Sequence, residues 1–129
     1  MITTTDIGNI LYRDCATFGI ERFQGDDFPT GEITDERIII HSKAQQPGKI
    51  WKKSFAEVNL CVPDDNRGNA RLVRLNELDR EAECLDGVVG EYDGTPYHYS
   101  ISAKGVEIDS QMRCHYVNVK ILFEVLNIK

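Results

Sequence analysis

In CHYVNVKILFEVLNIK, residues 114–129, Val117, Val119, Ile121, Phe123 and Val125 fall on one parity, while Tyr116, Asn118, Lys120, Leu122, Glu124 and Leu126 fall on the other. Alternation of period two predicts a strand. At ~3.3 Å of rise per residue, its eleven central residues span about 35 Å, long against the five or six residues of an ordinary strand. The valine face is expected in the core. The other face, with Leu122 and Leu126 among polar residues, stays half apolar and open unless another chain or a curled sheet covers it.

Working back along the chain, TPYHYSISAKGVEID (95–109) places Tyr97, Tyr99, Ile101 and Ala103 on one parity and Val106 and Ile108 on the other. A face flip beside Gly105 predicts a bulge there, which would bend the strand and keep its apolar side inward. VVGEYDGTP (88–96) has turn residues at Gly90 and Asp93-Gly94 and reads as a linker with at most a short extended piece. In NARLVRLNELDREAECLDG (69–87), Leu75, Leu78, Ala82 and Leu85 recur at helical spacing. The other side of that helix mixes Arg71, Arg74, Glu77, Arg80, Glu81 and Asp86, as a solvated face does.

Further upstream, RIIIHSKA (37–44) and IWKKSFAEVNLCVP (50–63) flank the turn signal QQPGK and predict an antiparallel hairpin. Val58, Leu60 and Val62 form one face of its second strand, opposite Glu57, Asn59 and Cys61. Residues 21–34, rich in Gly, Asp, Pro and Thr, read as a loop. The N-terminal region predicts a first helix of about thirteen residues, with Ile7, Ile10, Leu11 and Phe18 as its stripe and a capping box formed by Thr3 and Asp6. Gly19 stops it. The expected fold is one α+β domain over residues 1–129, with two helices packed on one face of a mainly antiparallel sheet of four or more strands, in the order α-β-β-α-β-β.

Composition narrows the function. With 129 residues, 41% hydrophobic and 28% charged, the chain can bury one core without staples. Its net charge of −6 argues against gripping nucleic acid through phosphates. One window departs from this: between Ile38 and Ala56 stand Lys43, Lys49, Lys52 and Lys53 and no carboxylate. No uninterrupted apolar stretch approaches the length of a membrane span, and MITTTDIGNI lacks the layout of a secretory signal. The chain is therefore expected to be made and folded in a reducing cytoplasm, with Cys15, Cys61, Cys84 and Cys114 as free thiols.

Catalytic and ligand motifs are missing. His41, His98 and His115 stand at no metal-site spacing, and no phosphate-loop, dinucleotide, nucleophile-elbow or zinc-protease motif occurs. Cys114 and His115 point to opposite faces of a strand, so a Cys-His pair would have to be assembled by folding, as Cys61 with His98. The pairs Asp26-Asp27 and Asp64-Asp65 sit in turns, where aspartate serves backbone geometry. No catalytic residue, metal or cofactor is expected. Trp51, the sole tryptophan, lies among lysines; an apolar contact at a protein interface suits it better than base stacking, which needs several aromatics.

The order helix, IIIHSKA, turn, WKKSFAEVNLCVPD, helix, YHYSISA and HYVNVKILFEV resembles the tail-terminator and tail-completion proteins of long-tailed bacteriophages. The resemblance spans nearly the whole chain and is strongest in FAEVNLCVP leading into ARLVRLNELDREAECL, and in the terminal strand. It is one of architecture, because the family has no invariant catalytic motif. The stretch 21–34 departs from many members. The resemblance implies a virion structural protein, of a phage or a prophage, that is not an enzyme. It would form a homo-oligomeric ring, typically a hexamer, ending the tail tube at its head-proximal end. Its partners would be itself, the tail-tube protein and a head-tail connector, with no membrane and no sequence-specific nucleic acid. Lys49, Trp51, Lys52, Lys53 and Leu122 would be its interface residues. Two other readings share the texture: a head-tail connector or adaptor, and a small enzyme or ligand-binding domain with a cleft between the sheet and the loops at 21–34 and 63–69.

Overall fold

The computed structural model describes residues 2–46 and 51–126. Helix α1 (Thr4–Asp14) continues as a 3-10 turn (Cys15–Phe18), and β1 (Glu21–Gln24), β2 (Arg37–Gln46) and β3 (Trp51–Pro63) follow. Helix α2 (Leu72–Glu81) with its own 3-10 turn (Ala82–Leu85) leads to β4 (Val88–Tyr92), β5 (Thr95–Asp109) and β6 (Cys114–Leu126). The six strands form one mixed, curled sheet in the order β1-β2-β3-β6-β5-β4. The long terminal strand is thus central, with β3 and β5 both antiparallel to it.

The fold is α+β, but its sheet is not the mainly antiparallel layer expected, nor is the order α-β-β-α-β-β. Two short strands are added, giving α-β-β-β-α-β-β-β. β1 pairs parallel with β2. Its four residues are too few to show a period, which is why 21–34 reads as a loop. Parallel neighbours need a crossover of about a dozen residues, and residues 25–36 supply it. β4 is no linker either: it forms a hairpin with β5 through Asp93 (φ 48°) and Gly94 (φ 80°). Left-handed conformation at both central residues is the two-residue turn that matches strand twist.

Both helices lie on one face, where Ile7, Ile10 and Leu11 of α1 and Leu75 and Leu78 of α2 join Val58 and Leu60 of β3 and Val117, Val119, Ile121, Phe123 and Val125 of β6 in the main core. Thr3 and Asp6 close the expected capping box, each side chain taking the other's backbone N–H. Phe123 stacks between Tyr97 and Tyr99, at 5.1 and 5.4 Å. Gly90 leaves room for the ring of Tyr97, whose hydroxyl accepts from Arg13 Nη2 at 2.9 Å. The hydroxyl of Tyr99 donates to Asp14 at 2.6 Å, and burial together with that carboxylate pushes its pKa up.

The bulge of β5 lies between Ile101 and Ala103, upstream of Gly105. It does restore Val106 to the helix-side face, level with Val117, but no helix reaches that far: Val106 is 47% and Ile108 62% exposed. The expectation that this strand keeps its apolar side inward throughout therefore fails at its C-terminal end. The opposite sheet face is covered over one half only. There the crossover brings Phe28 and Ile33 onto Ile39, Cys61, Met112 and Cys114 in a second, small core.

Candidate interface site

The other half of that face is uncovered. Alternate residues of β3 (Trp51, Lys53, Phe55, Glu57) stand beside alternate residues of β6 (Leu126, Glu124, Leu122, Lys120), with His98 and Ser100 of β5 beyond them. Phe55 is 44% exposed, and Leu122 and Leu126 are half-buried. Trp51 meets His98 edge-on, ring centroids 4.6 Å apart, so the indole lies against the sheet and covers its neighbours. Lys53 stands opposite Glu124 and Glu57 opposite Lys120. Opposite charges so placed attract across the strands, yet none of the four forms an ion pair with another described residue within 4 Å. The result is a half-apolar patch in which apolar pairs (Trp51 with Leu126, Phe55 with Leu122) alternate with pairs of opposite charge.

Of the sequence-predicted interface residues, Trp51, Lys53 and Leu122 share this patch. Lys52 does not: it is level with Val125 and points to the helix side. Adjacent positions on a strand cannot serve one surface. Lys49 lies outside the described residues. Sequence reasoning missed His98, whose parity opposite Tyr97 and Tyr99 was the available signal, and Glu57, Lys120 and Glu124, which only the strand register brings together.

Cys61 and His98 are separated by eight positions along β6, level with Tyr116 and Glu124 respectively, about 26 Å at strand rise. Cys61 Sγ instead donates to the Asn59 carbonyl at 3.8 Å; the neighbouring Cys114 thiol and burial push its pKa up, while the same neighbour draws that of Cys114 down. Cys15 is pushed up to about 12 by burial. Asp65 accepts from the N–H groups of Arg67 and Asn69 at 2.8 and 3.0 Å, which lowers its pKa; it folds its own turn. Asp64 lies 2.6 Å from His115 Nδ1. Among the described residues, no group of three or more His, Cys, Asp or Glu side chains is placed to hold a metal ion, and no helix is long and apolar enough to cross a membrane.

Among the described residues, two of the clefts that adjoin the covered half of this face stand out by their lining. One of about 520 Å³ is lined by Glu32, Asp64, Arg67, Ile108 and Arg113 among others. The second, about 370 Å³, lies under Phe28, with Ile39, Met112 and Tyr116 as apolar walls and His41 and Asp109 as polar ones.

No known protein family matches the chain, and no curated protein does. Among solved structures, one protein whose name states no function shares the fold, with a TM-score of 0.61 at 12% identity over 98% of this chain and 93% of that one. The likeness extends to the architecture alone.

Proposed function

We propose that the protein is a ring-forming structural component of a phage or prophage tail, resembling a tail terminator or completion protein. It would close the tail tube and join it to the head. The observation carrying this reading is the uncovered half-face, where Trp51, Phe55, Leu122 and Leu126 sit among Lys53, Glu57, Lys120 and Glu124. An open sheet face on which apolar and charged rows alternate suits a contact with another protein chain. A small protomer that ends a polymer needs such contacts both to its own copies and to the tube. A head-tail connector would share the ring and differ in its partner.

Light scattering over a hundredfold concentration range tests the reading. A ring-sized mass, or one rising towards it, supports it. Trp51→Ala with Lys53→Glu should lower that mass, whereas Lys52→Glu should affect it less, because Lys52 faces the helices. A monomer throughout favours the second reading, a ligand-binding domain. The observation behind that alternative is the 370 Å³ cleft, apolar with a few convergent polar groups.

A further inference from the structure

The outer edge of β5 is bare over its C-terminal half. β4 pairs only with Thr95–Tyr99, and among the described residues no strand lies beside β5 from Lys104 to Asp109. The N–H of Ile101, opposite Ile121, points away from β6 and donates to Asp86 at 2.9 Å. Lys104, Val106 and Ile108 face Val119, Val117 and His115, which share the parity of Ile121 along a strand whose pairing with β3 has no register shift. Their N–H and C=O groups therefore point outward as well. Sheet edges are ordinarily guarded by proline, a bulge or lysine. Here Pro96 and the bulge between Ile101 and Ala103 lie upstream, and Lys104, the sole lysine of β5, is turned inward to Asp79 and Glu83.

We infer that this edge takes up an extended, basic segment of another protein as an added strand. Such a contact does not depend on ring formation. The incoming backbone would meet the outward N–H and C=O groups of Lys104, Val106 and Ile108. Its side chains would alternate between two surroundings. On the helix side, Val106 and Ile108 are exposed. Leu72, also exposed, lies on the same face of α2 as Asp79, about two turns before it. Because β3 ends at Pro63, level with Asp109, and α2 follows from there, Leu72 stands towards the Ile108 end of β5. Apolar side chains of the segment suit this side. Glu107, which is exposed, and Asp109 stand on the opposite side.

Charge selects the segment. From Glu81 to Asp109 the chain carries seven carboxylates, with Lys104 as the only lysine or arginine. That lysine is already held by Asp79 at 2.7 Å and Glu83 at 2.6 Å. The charges left to face an incoming strand are therefore Asp86 at the upstream end and Glu107 and Asp109 on β5 itself. A second copy of β5 would bring two acidic edges together, and like charges across paired strands repel. Lysine or arginine at alternate positions is attracted instead. The segment that fits alternates basic residues with valine, isoleucine or leucine.

The probe is a short, fluorescently labelled peptide in which lysine alternates with valine, titrated with the full chain and followed by anisotropy. It should bind saturably, and its glutamate-valine counterpart should not. Glu107→Lys should weaken binding about 2- to 10-fold. Glu91→Lys, the same change at an exposed position of β4 many Debye lengths away, should leave it within about 2-fold. Methylated peptide nitrogens separate strand addition from plain charge attraction. One alternate set of N–H groups faces β5 and the other faces solvent, so methylating one set should abolish binding and methylating the other should spare it. Val106→Pro, which removes an outward donor and no ladder bond, should abolish it too. Equal tolerance of both methylated peptides, indifference to Glu107→Lys, or no binding at all overturns the inference. Self-association that Val106→Pro abolishes would overturn it as well, by giving the edge to a second copy.

Discussion

The two faces of β6 come from alternate residues of one strand and have different fates. Val117, Val119, Ile121, Phe123 and Val125 are all buried under the helices. On the other face Asn118 is buried and donates to Asn59 at 2.7 Å, while Lys120 is exposed and Leu122, Glu124 and Leu126 are half-buried. The difference lies in what crosses each face. Two helices cover the first from Val117 to Val125, but the crossover at 25–36 reaches only the half containing Asn118 and Cys114. Apolar content by itself does not decide burial; a covering element of sufficient reach does.

Phe123→Ala should break the first face outright. It removes a buried ring stacked between two tyrosines, and truncations of this kind cost ~3–5 kcal/mol, read as a fall in the urea midpoint. Leu122→Glu, one residue away on the other face, should cost the monomer ~1 kcal/mol or less while weakening self-association. If it destabilises the monomer as much as Phe123→Ala does, the patch belongs to the monomer's own core and the contrast fails.

The smallest effect should come from Lys104, which anchors β5 to α2. Its ammonium lies 2.7 Å from Asp79 and 2.6 Å from Glu83. Burial pulls its pKa down, but the two carboxylates outweigh this and the net shift is upward from 10.5. A raised pKa means the contribution is present at neutral pH and lost as pH climbs through the folded-state value. Lys104→Met should therefore cost under ~1 kcal/mol near pH 7, and the gap from wild type should narrow above pH 10.5. A gap that holds at high pH would mean that packing of the aliphatic stem, not charge, ties β5 to the helix.

How much of this was legible varies with the length of the signal. The capping box, both helical stripes, the β2–β3 hairpin and the central strand are long periodic patterns, and each appears where its residues place it. β1 and β4, of four and five residues, carry too few side chains for a period to emerge, and they form only because a longer strand offers an edge. The uncovered patch was half legible. Trp51 and Leu122 stand out by composition, whereas Lys52 and Lys53 look alike until the strand assigns them to opposite faces.

The amino-acid sequence by itself determined which residues form helices and long strands and which side of each is apolar, because these depend on local periodicity and on capping within a few positions. Only the tertiary structure decided the strand order, the parallel entry of β1, and which half of the second face the crossover leaves open. Those depend on where distant segments of the chain meet, and no local pattern encodes that.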